Sequence, residues 1–162
     1  LVDGWTGVYS GEILLKNRAM YHLLTKLKLK ANKSKNPDGL TIIAAAIQGK
    51  TSVVKYLIET NVDVNTKNND GWTPIMWASR EGHKEVVQLL LKAKANVNAK
   101  EENGDTATMW ASREGHKEVV QLLLKAKADV NAKNEYGMTA IKWASNNGYM
   151  EIVQLLESHK EL

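Results

Sequence analysis

The chain has 162 residues, enough for one domain, with a formal net charge of +4, no cysteine and no phenylalanine. The missing cysteines exclude disulfides and thiolate metal sites and fit an intracellular, cytoplasmic setting. No apolar run approaches the roughly 20 residues of a membrane span, no signal peptide is visible, and a chain that starts at Leu1 reads as a fragment of a longer protein.

Residues 1–38 carry seven Lys and Arg against three Asp and Glu, and residues 39–162 carry fifteen of each, so the whole surplus lies at the N-terminus. Lys26, Lys28, Lys30, Lys33 and Lys35 form its densest patch. A basic patch of this kind is one signature of nucleic-acid or anionic-membrane binding. No aromatic residue interleaves with these lysines to stack on bases. The simpler reading is a solvated terminal helix and linker, and no nucleic acid is expected.

A 33-residue register then runs along the chain. Met76–Ala95 and Met109–Ala128 are identical over twenty residues, at an offset of 33. Asn32, Asn65, Asn98 and Asn131 keep the period, as do Gly49, Gly82, Gly115 and Gly148. Gly71, Gly104 and Gly137 keep it too, while Gly39 lies 32 before Gly71, a one-residue adjustment near Asn36-Pro37-Asp38-Gly39. A linear stack needs the same side chains repeatedly, because each unit covers the apolar face of the next.

Within one unit, Thr73-Pro74 opens a short helix with proline at a position whose N–H has no helical partner. Gly82 stops it in a left-handed conformation. A second helix starts after His83, its apolar face made by Val86, Val87, Leu89, Leu90 and Leu91. The segment Lys92–Lys100 leaves that helix for a tight turn.

Helix, glycine loop, helix and hairpin-like turn in 33 residues resemble the ankyrin repeat. The residues that carry the likeness are Gly71-Trp72-Thr73-Pro74-Ile75-Met76-Trp77-Ala78-Ser79, Gly82-His83, Glu85-Val86-Val87-Gln88-Leu89-Leu90-Leu91 and Asn96-Val97-Asn98-Ala99, with the next units opening at Gly104 and Gly137. The resemblance implies an all-α solenoid of about five units with short β-hairpin turns. These would be a degenerate repeat or cap at 1–35, repeats at 36–68, 69–101 and 102–134, and a C-terminal repeat or cap at 135–162, in one continuous domain. Two positions depart from the family pattern. Lys94 and Lys127 stand where the family has a left-handed glycine, and Met76, Met109 and Lys142 stand where it has a bracing histidine.

Trp77, Trp110 and Trp143 recur at one position of the first helix and read as core with part of each indole exposed, while Met76 and Met109 read as nearer the surface. His83 and His116 occur one per unit, too far apart to share a metal, and the resemblance makes the Gly-His pair structural. Glu81, Glu85, Glu114 and Glu118 recur in identical context, whereas an active site is a unique constellation. No nucleophile with a base and no phosphate loop is present. No catalytic residue, metal or cofactor is expected.

The positions that vary between matching units are free for a partner. They fall at the tips, on Asn69, Asp70 and Trp72, on Glu102, Asn103 and Asp105, and on Glu135, Tyr136 and Met138, and along the first-helix edge on Arg80, Glu81, Arg113, Glu114, Asn146 and Asn147. In ankyrin arrays such residues line a concave, protein-binding face. An exposed Trp72 with Arg80, Arg113, Tyr136 and Met138 would make a hot-spot set. The expected function is a monomeric, non-catalytic scaffold for a partner protein. Alternatives are an assembly or targeting segment of a larger enzyme, channel or effector, and anion binding through the N-terminal lysines. The resemblance also allows asparagine hydroxylation at Asn65, Asn98 or Asn131.

Overall fold

Each unit reverses direction at a left-handed backbone position that glycine occupies without strain, and the computed structural model, which describes residues 37–160, shows this reversal four times. The chain divides into two units, Leu1–Lys33 and Ser34–Leu162, and everything described belongs to the second. The cap expected at 1–35 and its lysines lie outside the described residues.

Eight helices follow in order among the described residues: α1 Pro37–Ile47, α2 Thr51–Glu59, α3 Pro74–Arg80, α4 Lys84–Lys92, α5 Ala107–Glu114, α6 Lys117–Lys125, α7 Ala140–Asn146 and α8 Met150–Ser158. They form two layers. The first helices α1, α3, α5 and α7 pack on one another, and the second helices α2, α4, α6 and α8 form the other row. Contact is more extensive within the first row. The cause is small side chains: Ala45, Ala78, Ala111 and Ala144 occupy one repeat position and are fully buried, so the backbones approach closely.

The second helices supply the bulk of the core. Val53, Val54 and Leu57 are buried in α2, and Val86, Val87 and Leu90 take the same places in α4. Val119, Val120 and Leu123 repeat the set in α6, and Ile152, Val153 and Leu156 in α8. Three such side chains contribute roughly 5–9 kcal/mol of apolar burial per unit before the entropy of ordering the chain is subtracted.

The positions flagged as irregular are accommodated by backbone geometry. Asn61, Lys94 and Lys127 take φ of 62°, 63° and 64°, each just after a second helix. Met76 and Met109 are 0% and 1% exposed, which corrects the expectation that they lie near the surface. They are adjacent to the half-buried Trp77 and Trp110, about 100° around the helix. It is the methionine of each pair that turns fully inward, and the Met76 sulfur accepts from the Thr73 amide at 3.4 Å.

The tips are hairpin-like without a strand among the described residues. Two main-chain bonds close each: Asn68 N to Trp72 O and Gly71 N to Asn68 O, Glu101 N to Asp105 O and Gly104 N to Glu101 O, and Asn134 N to Met138 O and Gly137 N to Asn134 O. A side-chain oxygen inside each loop then takes two further amides. Asn68 Oδ1 accepts from Asp70 and Trp72, Glu101 Oε1 from Asn103 and Asp105, and Asn134 Oδ1 from Tyr136 and Met138. The periodic asparagines tie neighbouring tails together, since Asn65 Oδ1 accepts from the Asn96 amide at 2.7 Å and Asn98 Oδ1 from Asp129 at 2.8 Å. No helix among the described residues is long and apolar enough to cross a membrane.

Candidate functional site

The variable positions do not all face water. Trp72, expected as an exposed anchor, is 8% exposed. Its ring lies 4.2 Å from that of Trp77 and 4.6 Å from that of Trp110, centroid to centroid, so it is wedged between neighbouring units. Asp105, at the equivalent tip position, is 7% exposed and is likewise no free contact. Asn134 Nδ2 donates to Asp105 Oδ1 at 2.9 Å, and Trp143 donates as well. Burial pushes the Asp105 carboxyl above its ordinary range, and the neighbouring Glu101 carboxylate adds to this. The bonds from Asn134 and Trp143 and the charge of Arg113 work the other way.

The remaining tip residues Asn69, Asp70, Glu102, Asn103, Glu135 and Tyr136 are exposed, and Met138 is half-buried. Tyr136 is the most open large apolar side chain among the described residues, at 73%. The tips stack on one another through main-chain bonds from Glu102 N to Asp70 O and from Glu135 N to Asn103 O. On the helix edge, Glu81, Arg113, Glu114, Asn146 and Asn147 are exposed, and Arg80 is partly so.

What the geometry brings together is a ladder of rings and guanidinium groups. Arg80 Cζ lies over three rings, 5.7 Å from Trp72, 5.4 Å from Trp77 and 5.5 Å from Trp110. Arg113 continues the series, 5.2 Å from Trp110 and 4.7 Å from Trp143. Attraction between a cation and a ring face favours these placements. Sequence reasoning read Trp77, Trp110 and Trp143 as packed with part of each indole exposed; they are half-buried, and they form the rungs of a surface that it did not anticipate. The missed signal was the Trp-x-x-Arg spacing at Trp77/Arg80 and Trp110/Arg113, because residues three apart share a helix face.

The Gly-His pairs lie at the far end of each unit. His83 Nε2 is 3.0 Å from the Ile47 carbonyl oxygen and His116 Nε2 is 2.9 Å from that of Arg80. Each imidazole thus reaches back across the unit boundary to the end of the preceding first helix. A Cβ on Gly49 or Gly82 would lie 2.7 Å or 2.6 Å from that ring, so glycine is required for the rings to seat.

A sequence profile of ankyrin repeats in three copies matches residues 13–101 and again 93–161. The chain belongs to the ankyrin-repeat family. Ankyrin repeats generally mediate protein–protein interaction and are typically non-catalytic. A comparison with curated proteins finds no match.

Proposed function

We propose that this ankyrin array is a non-catalytic scaffold that holds a partner protein against the tips and the first-helix edge. The observation that carries this reading is the Trp–Arg ladder, which runs without a break from Trp77 to Trp143 across three units. Tryptophan and arginine are the residues in which binding energy concentrates. Here they are fixed before any partner arrives, so little side-chain entropy is lost on binding. Asn69, Asp70, Glu102, Asn103, Glu135, Tyr136, Asn146 and Asn147 form the polar rim around them.

The test is affinity capture from a lysate of the source organism with two baits, the natural chain and an Arg80→Glu/Arg113→Glu variant of equal helicity. A protein retained by the first bait and lost from the second supports a partner-binding face. Equal capture by both baits, or none by either, removes it.

A further inference from the structure

The two arginines of the ladder are oriented but unfilled. Glu81 and Glu114 approach only the Nε edges of Arg80 and Arg113, each at 3.8 Å. No hydrogen bond among the described residues engages the outer nitrogens of either group, and both side chains are about two-fifths exposed. A planar guanidinium placed against the rings with its outer donors unused can take a carboxylate through two parallel bonds.

The two forks are close enough to engage a single short segment. Both guanidinium groups lie against the ring of Trp110, at 5.5 Å and 5.2 Å, so they are at most about 11 Å apart. A polyproline II segment returns to the same face every three residues with a rise of about 9 Å. Such segments dock on aromatic-lined grooves, because their backbone is already extended and loses little entropy. We infer that the ladder binds an extended, polyproline-II-like segment of the partner carrying carboxylates at positions i and i+3, one on each arginine. The inference rests on the partner-binding reading above and names the chemistry of that partner.

Surrounding charge restricts where those carboxylates can stand. Glu81 and Glu114 flank the forks, Asp70, Glu102 and Glu135 project from the tips, and Asp105 lies buried within reach of Arg113. A uniformly acidic chain would be repelled by them. The segment that fits has two acidic residues separated by two uncharged ones, with neutral or basic flanks.

The test uses the full chain and the peptide Pro-Pro-Glu-Pro-Pro-Glu-Pro-Pro, followed through the indole N–H signals of the five tryptophans. Three control peptides replace both Glu by Gln, replace both by Lys, or set the two Glu side by side. Saturable shifts of the Trp77, Trp110 and Trp143 signals are expected. Affinity should fall about fivefold or more with the Gln peptide and with the adjacent-Glu peptide. An Arg80→Met/Arg113→Met variant should not bind. An Arg80→Lys/Arg113→Lys variant, which keeps the charge and loses the fork, should bind several-fold more weakly. Absence of saturable binding, equal binding of the Gln peptide, or preference for the Lys peptide overturns the inference. If it falls while a captured partner still depends on Arg80 and Arg113, the scaffold reading survives and only the acidic segment is lost. If the peptide binds and no partner depends on this face, the scaffold reading is the one that fails.

Discussion

The imidazole of His116 occupies the space that a side chain on Gly82 would need, with the prospective Cβ 2.6 Å from its Cε1 and Nδ1. The Arg80 carbonyl accepts from Nε2 of the same ring at 2.9 Å, which places the ring proton on that nitrogen. Gly148 has a similar backbone, with φ of +78° against +74°, but nothing lies within 4 Å of its prospective Cβ. Gly148→Ala should therefore lose only the left-handed backbone term, roughly 1–2 kcal/mol. Gly82→Ala should lose a further 1–3 kcal/mol or so, as the ring is displaced from its slot. Urea denaturation of the two variants measures the gap, and equal losses would show that the ring contact contributes nothing.

The two lysines at positive φ are a reserve of stability. Lys94 and Lys127 are exposed, and their left-handed backbone disfavours any Cβ. Lys94→Gly and Lys127→Gly should each stabilise the array by roughly 0.5–1 kcal/mol, less the entropy that glycine adds to the unfolded chain. Asn61→Gly should yield less, because asparagine tolerates this conformation. Thermal unfolding of the three variants checks the ranking.

Asp105 predicts a pH dependence. Its carboxyl holds a proton more tightly in the folded chain than in the unfolded one, chiefly because burial disfavours the charged form. The resulting penalty is absent below the ordinary carboxylate range and grows as pH rises through the raised folded value. Asp105→Asn removes the charge and with it this pH-dependent penalty. The variant should gain stability relative to the natural chain on going from about pH 4 to pH 7. Denaturation at the two pH values gives the answer, and a constant difference would contradict it.

Trp72 and Tyr136 should separate folding from binding. Trp72 is stacked between Trp77 and Trp110, so Trp72→Ala should cost roughly 3–5 kcal/mol of stability. Tyr136 is 73% exposed, with only a 3.5 Å contact from its hydroxyl to Asn103 Oδ1. Tyr136→Ala should change stability by no more than about 0.5 kcal/mol. Thermal melts distinguish the two, and lost capture by the Trp72 variant would say nothing about the face unless it remained folded.

The recurrence of glycines and asparagines at 33 residues made the helices and their glycine stops legible in the sequence, and the likeness to the ankyrin pattern marked the left-handed lysines. Those features are set locally, by backbone conformation, and they repeat. The surface was harder to read because its decisive contacts cross between units, and those of Trp72 do not repeat. Trp72 aligns with Asp105 and Met138, so no periodic signal marks it as buried, and its burial depends on the ring of Trp110 in the next unit. The order of the Met76-Trp77 pair was misread for a related reason. Two adjacent apolar residues satisfy the same helical pattern whichever one turns inward. Glu101 and Asp105 carry charge, which argues for solvent, yet the tip folds both inside and satisfies them with amides and an indole.

The slot between Gly82 and His116 is built from residues that lie inside the twenty-residue duplicate or recur at its period. The Gly49 slot is filled by His83 in the same manner, so one lock closes both boundaries. Excising the 33 residues from Met76 to Thr108 would bring His116 to the boundary that His83 now closes, with the reading frame intact. A second copy of the same stretch would extend the array by one unit with the same lock. Length is therefore the trait of this protein that recombination between its own duplicated segments can change in a single step. The reach of its binding face would change with it.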